Sequence, residues 1–349
     1  MESVTPAPAP PGGLAEDPCW FPFLLDLPTD TLLLVATDEA ALRAASFLDQ
    51  RSLAPAAERR QVPWRAAEEA LGPDSRRDAD YIFHIGHVGS TLLSRLLGEL
   101  PSVLALREPL LLRAFAEALT QGRWPAAEEP RRLDALAALL SRSFRPAQRA
   151  LVKATSFTSE IADRLLPAGS RALFLHVGPR AYVETILGGD ASRQELAMLT
   201  PSRIARLAAR CPGLVLDESR LSEAQKAVVA WACEMTSLAA AAAALGPKRI
   251  LWIDFDAFLA QPAEQLGAAA TFLGHELPSA EAEALATGPL MLRYSKAPEY
   301  EYTAGLRREV LADARRRFGR DIDAALAGLA AMGQRWPAIG SMLKRSGGV

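Results

Sequence analysis

The chain alternates short, almost wholly apolar runs with longer segments in which apolar residues recur every three or four positions. The apolar runs fall at 81–85, 103–106, 151–154, 172–177 and 250–255. Runs apolar at nearly every position are the pattern of strands buried on both faces. Helical periodicity fills the intervals, at 90–99, 109–121, 130–143, 158–166, 180–188, 202–210 and 222–245. Strands alternating with helices predict an α/β fold, a central parallel sheet of about five strands covered on both faces. Ligands bind such sheets beyond the carboxyl ends of the strands.

This α/β domain is expected over 78–279. Before it, residues 18–77 read as a small N-terminal extension with a strand near 32–36 and a helix near 39–50. Residues 1–17, rich in Pro, Ala and Gly, are expected to be disordered. Residues 280–349 read as helices packed on the core, around an exposed tyrosine-rich segment at 294–302. The alanine run 239–244 is expected to be closely packed helix.

Composition narrows this picture in three ways. At 349 residues, half of them hydrophobic, the chain is long enough to bury a sizeable core. Its net charge of −2 offers no extended basic surface, so no nucleic-acid partner is expected. Of 39 basic residues only Lys153, Lys226, Lys248, Lys296 and Lys344 are lysines, which makes each of them informative. Cys19, Cys211 and Cys233 form neither a disulfide framework nor a zinc pattern, and a reducing, cytoplasmic compartment is expected. Neither a charged-then-apolar leader nor a membrane span, which needs an apolar run of roughly 18 residues, is expected. Oligomeric state leaves no trace in the sequence.

The first strand of the domain leads into Gly86-His87-Val88-Gly89-Ser90-Thr91 and then an amphipathic helix. Gly86 and Gly89 let the backbone turn sharply and approach a ligand. Ser90 and Thr91 stand where free N–H groups and the positive end of the helix dipole favour a phosphate or sulfate. The common nucleotide-binding loop has Lys after its second glycine. Here Ser90 holds that position and the upstream glycine is closer, so a triphosphate would lack its main charge partner.

With its neighbours, this loop resembles that of P-loop sulfotransferases that use 3′-phosphoadenosine 5′-phosphosulfate, typified by Pro-Arg-Ser-Gly-Ser-Thr-Leu-Leu. The resemblance runs over about residues 78–275. Residues 100–109, with Glu108 before Pro109, are similar to the family's second strand; 151–154, with Lys153, to its third. Residues 174–185 are similar to the segment that holds the 3′-phosphate, and 250–262 with Phe272-Leu273-Gly274 to the late strand and helix. Two cationic positions of the family differ: the loop cation is His87, and the first arginine of the 3′-phosphate segment is Val177.

The resemblance implies a P-loop-type three-layer fold and sulfuryl transfer, without a metal, to a hydroxyl or amine of a small molecule, lipid or glycan. It implies Glu108 as the base, His87 and Lys153 at the leaving group, and residues 86–91 (Gly86, His87, Val88, Gly89, Ser90, Thr91) around the 5′-phosphate. It implies Arg180 and Thr185 at the 3′-phosphate, with Arg180, Lys153 or Lys296 compensating for the missing cations. Variable segments at 109–145 and 186–225 would shape the acceptor pocket.

Each assignment has a plainer rival. Glu108 is equally suited to capping the helix after Pro109. Arg180 and Lys296 could be surface residues, and His84 a hydrogen-bonded core residue. His275, with no motif around it, is expected at the surface. His84, His87 and His176 converge near strand ends, but no carboxylate follows at ligand spacing and no metal site is expected. A P-loop kinase or NTPase, with Asp254 ending a magnesium-binding strand, and a non-catalytic nucleotide-binding protein remain as alternatives.

Overall fold

The computed structural model describes residues 13–52, 56–293 and 303–348. Residues 1–12 of the expected disordered leader, the tyrosine-rich segment and Lys296 lie outside the described residues. Residues 13–17, read as part of that leader, are folded against the core. Leu14 is buried, and the buried Arg142 donates to the carbonyls of Leu14, Asp17 and Trp20 at 3.0, 3.0 and 2.9 Å.

Among the described residues, eight strands form two sheets. β1 (Trp20–Asp26), β2 (Thr31–Ala36) and β3 (Arg59–Pro63) make an antiparallel sheet. β4 (Asp80–His84), β5 (Val103–Arg107), β6 (Arg149–Lys153), β7 (Ala172–His176) and β8 (Ile250–Asp254) make a wholly parallel sheet in the order β5-β6-β4-β7-β8. The order reverses about β4, the strand that carries the glycine loop. A crevice therefore opens beyond its carboxyl end.

Register sets the strand ends level. Lys153 lies opposite Arg107 on one side and Ile82 on the other, His84 opposite Leu175, and His176 opposite Asp254. Residues following β4, β5 and β6 thus reach a common plane.

Helices flank the parallel sheet, and one hydrophobic cluster runs from Leu14 to Leu343, joining the extension and the C-terminal helices to the α/β core. Leu92, Leu93, Leu96 and Leu97 make the buried stripe of the helix Ser90–Gly98. The helix Glu223–Leu245 starts at a capping box of Ser222 and Gln225. It is long and apolar enough to cross a membrane, but 67% of its apolar window is buried inside the molecule.

The helix expected at 202–210 spans Asp190–Arg210 and contains Pro201. Proline removes one helical donor and normally marks a boundary. Here Pro201 lies on the exposed face, where water can satisfy the carbonyl left free. The added turns matter because they line the site described next.

Candidate active site

The loop after β4 holds a backbone that most residues avoid. Gly86, His87 and Gly89 have φ of 83°, 54° and 69°. His87 thus adopts a left-handed conformation without glycine's freedom, the kind of local strain that clusters at functional sites. The ring of His84 fixes the start of the turn. Its Nδ1 accepts from the Gly86 N–H at 3.0 Å, so Nε2 carries the proton and donates to the Ala154 carbonyl at 2.9 Å. His84 is therefore the hydrogen-bonded core residue of its plainer reading.

A Cβ on Gly89 would come within 2.0 Å of the Phe255 ring, in addition to the positive φ. Gly89→Ala is expected to destabilise the fold by about 1–3 kcal/mol, read as a lower denaturant midpoint with an unchanged slope. An unchanged midpoint would mean that the loop tolerates a side chain here.

From Gly89 the chain enters the helix Ser90–Gly98. The N–H groups of its first turn have no partner within the helix. Ser90 and Thr91 are buried, and the Thr91 hydroxyl, on a residue 2% exposed, has no hydrogen-bond partner among the described residues. A buried hydroxyl without a partner is costly unless a ligand completes it.

Glu108 follows β5 with φ of 50°, again left-handed. Its N–H donates to the Lys153 carbonyl at 2.7 Å. Its carboxylate accepts from the Lys153 ammonium. The next helix, Leu110–Thr120, starts at Pro109 without any side-chain cap, so Glu108 is not a capping residue. Lys153 is buried, with its ammonium 5.7 Å from the centroid of the Phe47 ring.

His87 faces the helix Asp190–Arg210. Its Nε2 lies 3.4 Å from Glu195 Oε2, and its Nδ1 lies 3.4 Å from Ser192 Oγ. An imidazolium at this position would find its counter-charge in Glu195. A buried ion-pair network anchors this helix: Arg203 and Arg206 hold Glu234 at 3.2 and 2.9 Å, and Arg206 also reaches Glu160 at 2.8 Å.

These groups share one cavity of about 1130 Å³. Gly86, His87, Val88, Gly89, Ser90, Thr91, Glu108, Lys153 and Thr185 all line it. Four arginines not singled out in the sequence also line it: Arg51, Arg113, Arg293 and Arg307. Arg307, largely shielded from solvent, pairs with Asp256 at 2.6 Å and lies 5.5 Å from the Phe255 ring centroid.

No protein-family model matches the chain, and no curated protein does. Sulfotransferases recur among the solved structures similar to it. The sulfotransferase domain from the curacin biosynthetic pathway is 18% identical, with a TM-score of 0.43 over 64% of this chain and 83% of that one. The sulfotransferase domain of the Synechococcus PCC 7002 olefin synthase is 16% identical, with a TM-score of 0.42 over 70% and 90%. Mouse sulfotransferase SULT7A1, complexed with PAP, is 12% identical, with a TM-score of 0.32 over 73% and 90%.

Arg180 does not join the cavity. It sits at the start of the helix Pro179–Leu187 and pairs with Asp323 of the C-terminal helix Ala304–Arg335 at 2.9 Å. That end of the helix is covered: Val177 is fully buried with its carbonyl accepting from Trp231 Nε1 at 2.9 Å, and a Cβ on Gly178 would meet the Ser346 carbonyl at 3.6 Å. The other end of the same helix carries Thr185, whose hydroxyl donates to the Ala181 carbonyl at 2.7 Å.

Asp254 is not among the cavity's lining residues. Its Oδ1 accepts from the N–H groups of Asp256 and Ala257 at 2.8 and 3.1 Å, capping the helix Phe255–Ala260. His176 lies 3.7 Å from Asp254, and burial pushes its pKa down. Among the described residues, no three His, Cys, Asp or Glu side chains converge as a metal site would need.

His275, expected at the surface, is buried at the opposite end of the sheet, with Nδ1 2.9 Å from Ser102 Oγ. Burial, reinforced by Arg149, pushes its pKa down to about 4. An unfolded histidine titrates near 6.5, so the folded state favours the neutral ring. That contribution is complete above about pH 6.5 and is lost as pH falls toward 4. Asp80, raised to about 6 by burial at the same end, titrates with the opposite sign. Comparison with His275→Gln isolates the histidine. The variant is expected to lose about 1–2 kcal/mol less stability between pH 6.5 and 4 than the parent, read by denaturation at each pH. Parallel profiles would show that His275 does not titrate on unfolding.

Proposed function

We propose that the chain is a sulfotransferase, moving a sulfuryl group from 3′-phosphoadenosine 5′-phosphosulfate to a hydroxyl or amine of a small-molecule, lipid or glycan acceptor. The observation that carries this reading is a conjunction within one cavity. An unpartnered, buried Thr91 hydroxyl stands at a helix N-terminus, and the Glu108–Lys153 pair lines the same space.

The residues fit the 5′ half of the donor. An oxyanion at the helix start would complete the Thr91 hydroxyl and the first-turn N–H groups. A cavity of about 1130 Å³ has room for a nucleotide and an acceptor together. Arg180 pairs with Asp323 outside the cavity, and among the cavity's arginines Arg293 and Arg307 are available to a 3′-phosphate instead.

When bound, the donor supplies an electrophilic sulfur and a phosphate leaving group. The protein's part is positioning, proton removal and charge stabilisation. A Glu108 oxygen takes the proton of the acceptor hydroxyl as the acceptor oxygen bonds to sulfur. The old sulfur–oxygen bond breaks with its electron pair on the phosphate oxygen, and Lys153 and His87 counter that charge. Sulfuryl groups carry less charge than phosphoryl groups, so this reaction can run without the metal that phosphoryl transfer uses.

Thermal unfolding with added nucleotide tests the reading. Adenosine 3′,5′-bisphosphate without magnesium is expected to raise the melting temperature by a few degrees at about 100 times its dissociation constant, where binding adds about 2.7 kcal/mol. Stabilisation only by ATP with Mg²⁺ would favour an NTPase, and stabilisation by neither would leave a protein without this chemistry.

A further inference from the structure

The cavity wall beside Glu108 includes chain that the transfer chemistry leaves unused. Residues 45–52 run along the carboxyl end of β5, with the Leu48 N–H donating to the Arg107 carbonyl at 2.7 Å and the Leu110 N–H to the Leu48 carbonyl at 3.0 Å. The Arg107 guanidinium is buried, has no carboxylate partner among the described residues, and spends its donors on the start of this segment and on the turn of chain just before it. It bonds the carbonyls of Ala45 at 2.7 Å and Leu42 at 3.2 Å, as well as that of Arg43. A buried charge is tolerated only when its donors are satisfied, so this arginine and the segment hold each other in place.

What the segment presents is Phe47 and Arg51. The Arg51 guanidinium lies 4.0 Å from the Phe47 ring centroid. A second wall repeats the arrangement, with Arg113 of the helix Leu110–Thr120 lying 5.8 Å from the Phe157 ring centroid. All four residues line the cavity with Glu108 and Lys153.

Each guanidinium keeps donors to spare, although the Asp49 carboxylate lies within electrostatic reach of both and Glu108 within reach of Arg51. Arg51 bonds Asp49 through Nε and Nη2, and Arg113 bonds Glu117 through Nε at 3.1 Å. Arg51 Nη1 and both Nη atoms of Arg113 have no acceptor among the described residues. Both side chains are more than half exposed. The cavity wall therefore carries two aromatic faces, Phe47 beside Lys153 and Phe157 beside Arg113, together with guanidinium donors that reach solvent.

We infer that the acceptor is an amphipathic anion. An apolar body lies against Phe47 and Phe157, and a terminal anionic group, carboxylate or phosphate, is held by Arg51 and Arg113. A hydroxyl or amine at the other end reaches Glu108. Only this last contact rests on the transferase reading; the anion slot stands on its own geometry.

The test is titration calorimetry on the full chain, with and without saturating adenosine 3′,5′-bisphosphate. The probes are 12-hydroxydodecanoate, 12-hydroxydodecyl phosphate and neutral 1,12-dodecanediol. At least one anionic probe is expected to bind about tenfold more tightly than the diol, and the tighter anion identifies the group. In the double variant Arg51→Gln/Arg113→Gln the ratio is expected to fall within about threefold, and it should shrink with added salt in the parent. Both arginines are exposed, so the double variant is expected to keep its fold. Equal binding of anion and diol in the parent, or a preference that survives the double variant, overturns the inference. Failure of the bisphosphate to bind would instead sink the transferase reading, and the nucleotide-free titration would still decide the slot.

Discussion

Glu108→Gln is expected to lower turnover by about 10²–10⁴-fold while leaving the dissociation constant of adenosine 3′,5′-bisphosphate within a few-fold. The amide keeps the size of the side chain and an oxygen that can accept from Lys153. What it loses is the basic lone pair that would take the acceptor's proton. The backbone at this residue is left-handed and is followed by Pro109, and its N–H is bound to the Lys153 carbonyl, so the amide stays where the carboxylate was. Turnover with a standard hydroxyl acceptor and nucleotide titration, run in parallel, separate the two effects. A variant with full turnover would remove Glu108 from proton transfer. A variant that loses nucleotide binding in the same proportion as turnover would make it a structural partner of Lys153.

The assignments behind this expectation differ in how far the sequence could carry them. The five parallel strands were legible because a strand buried on both faces has to be apolar nearly throughout. Their ends fell within a residue or two of the observed ones, and the loop followed from its two glycines. β1 and β3 were missed for local reasons: β1 carries Pro22 and an irregular register beside it, and β3 is mostly polar, with only Val62 buried.

Pro201 cut short the helix that brings Ser192 and Glu195 to His87, because spacing alone does not reveal that a proline faces water. Arg180 shows the converse limit. Its place in the sequence fits an anion contact, yet Asp323 and the C-terminal helices take that end of its helix, an arrangement set by segments more than a hundred residues away. Arg51, Arg113 and Arg307 are three of many arginines, and nothing local distinguishes them. Only tertiary packing selects them.

Lys153→Met is expected to separate chemistry from architecture at the centre of the site. Methionine keeps the length and apolar stem that pack beside the strand, and it removes the ammonium. Breaking a buried pair usually costs about 3–5 kcal/mol because a charge is left without compensation in a dry interior. Here the surviving charge is Glu108, whose side chain is 21% exposed and can rehydrate, and the buried partner is the one removed. The expected loss of stability is therefore below about 2 kcal/mol. Function should respond far more. On the proposed reading, the charge developing on the leaving oxygen would lose its buried cation and keep only His87 and the helix-start donors, and turnover is expected to drop by about 10²–10³-fold. Bisphosphate affinity is expected to weaken by about tenfold, which Glu108→Gln should not do. Denaturant midpoints, bisphosphate titrations and turnover on the same preparation make the comparison. A large fall in the midpoint with unchanged affinity would make Lys153 a folding element that happens to border the cavity. Lost affinity on an intact fold would leave it as the one fully buried cation of the reaction, with His87 and Glu195 beside it as the adjustable part.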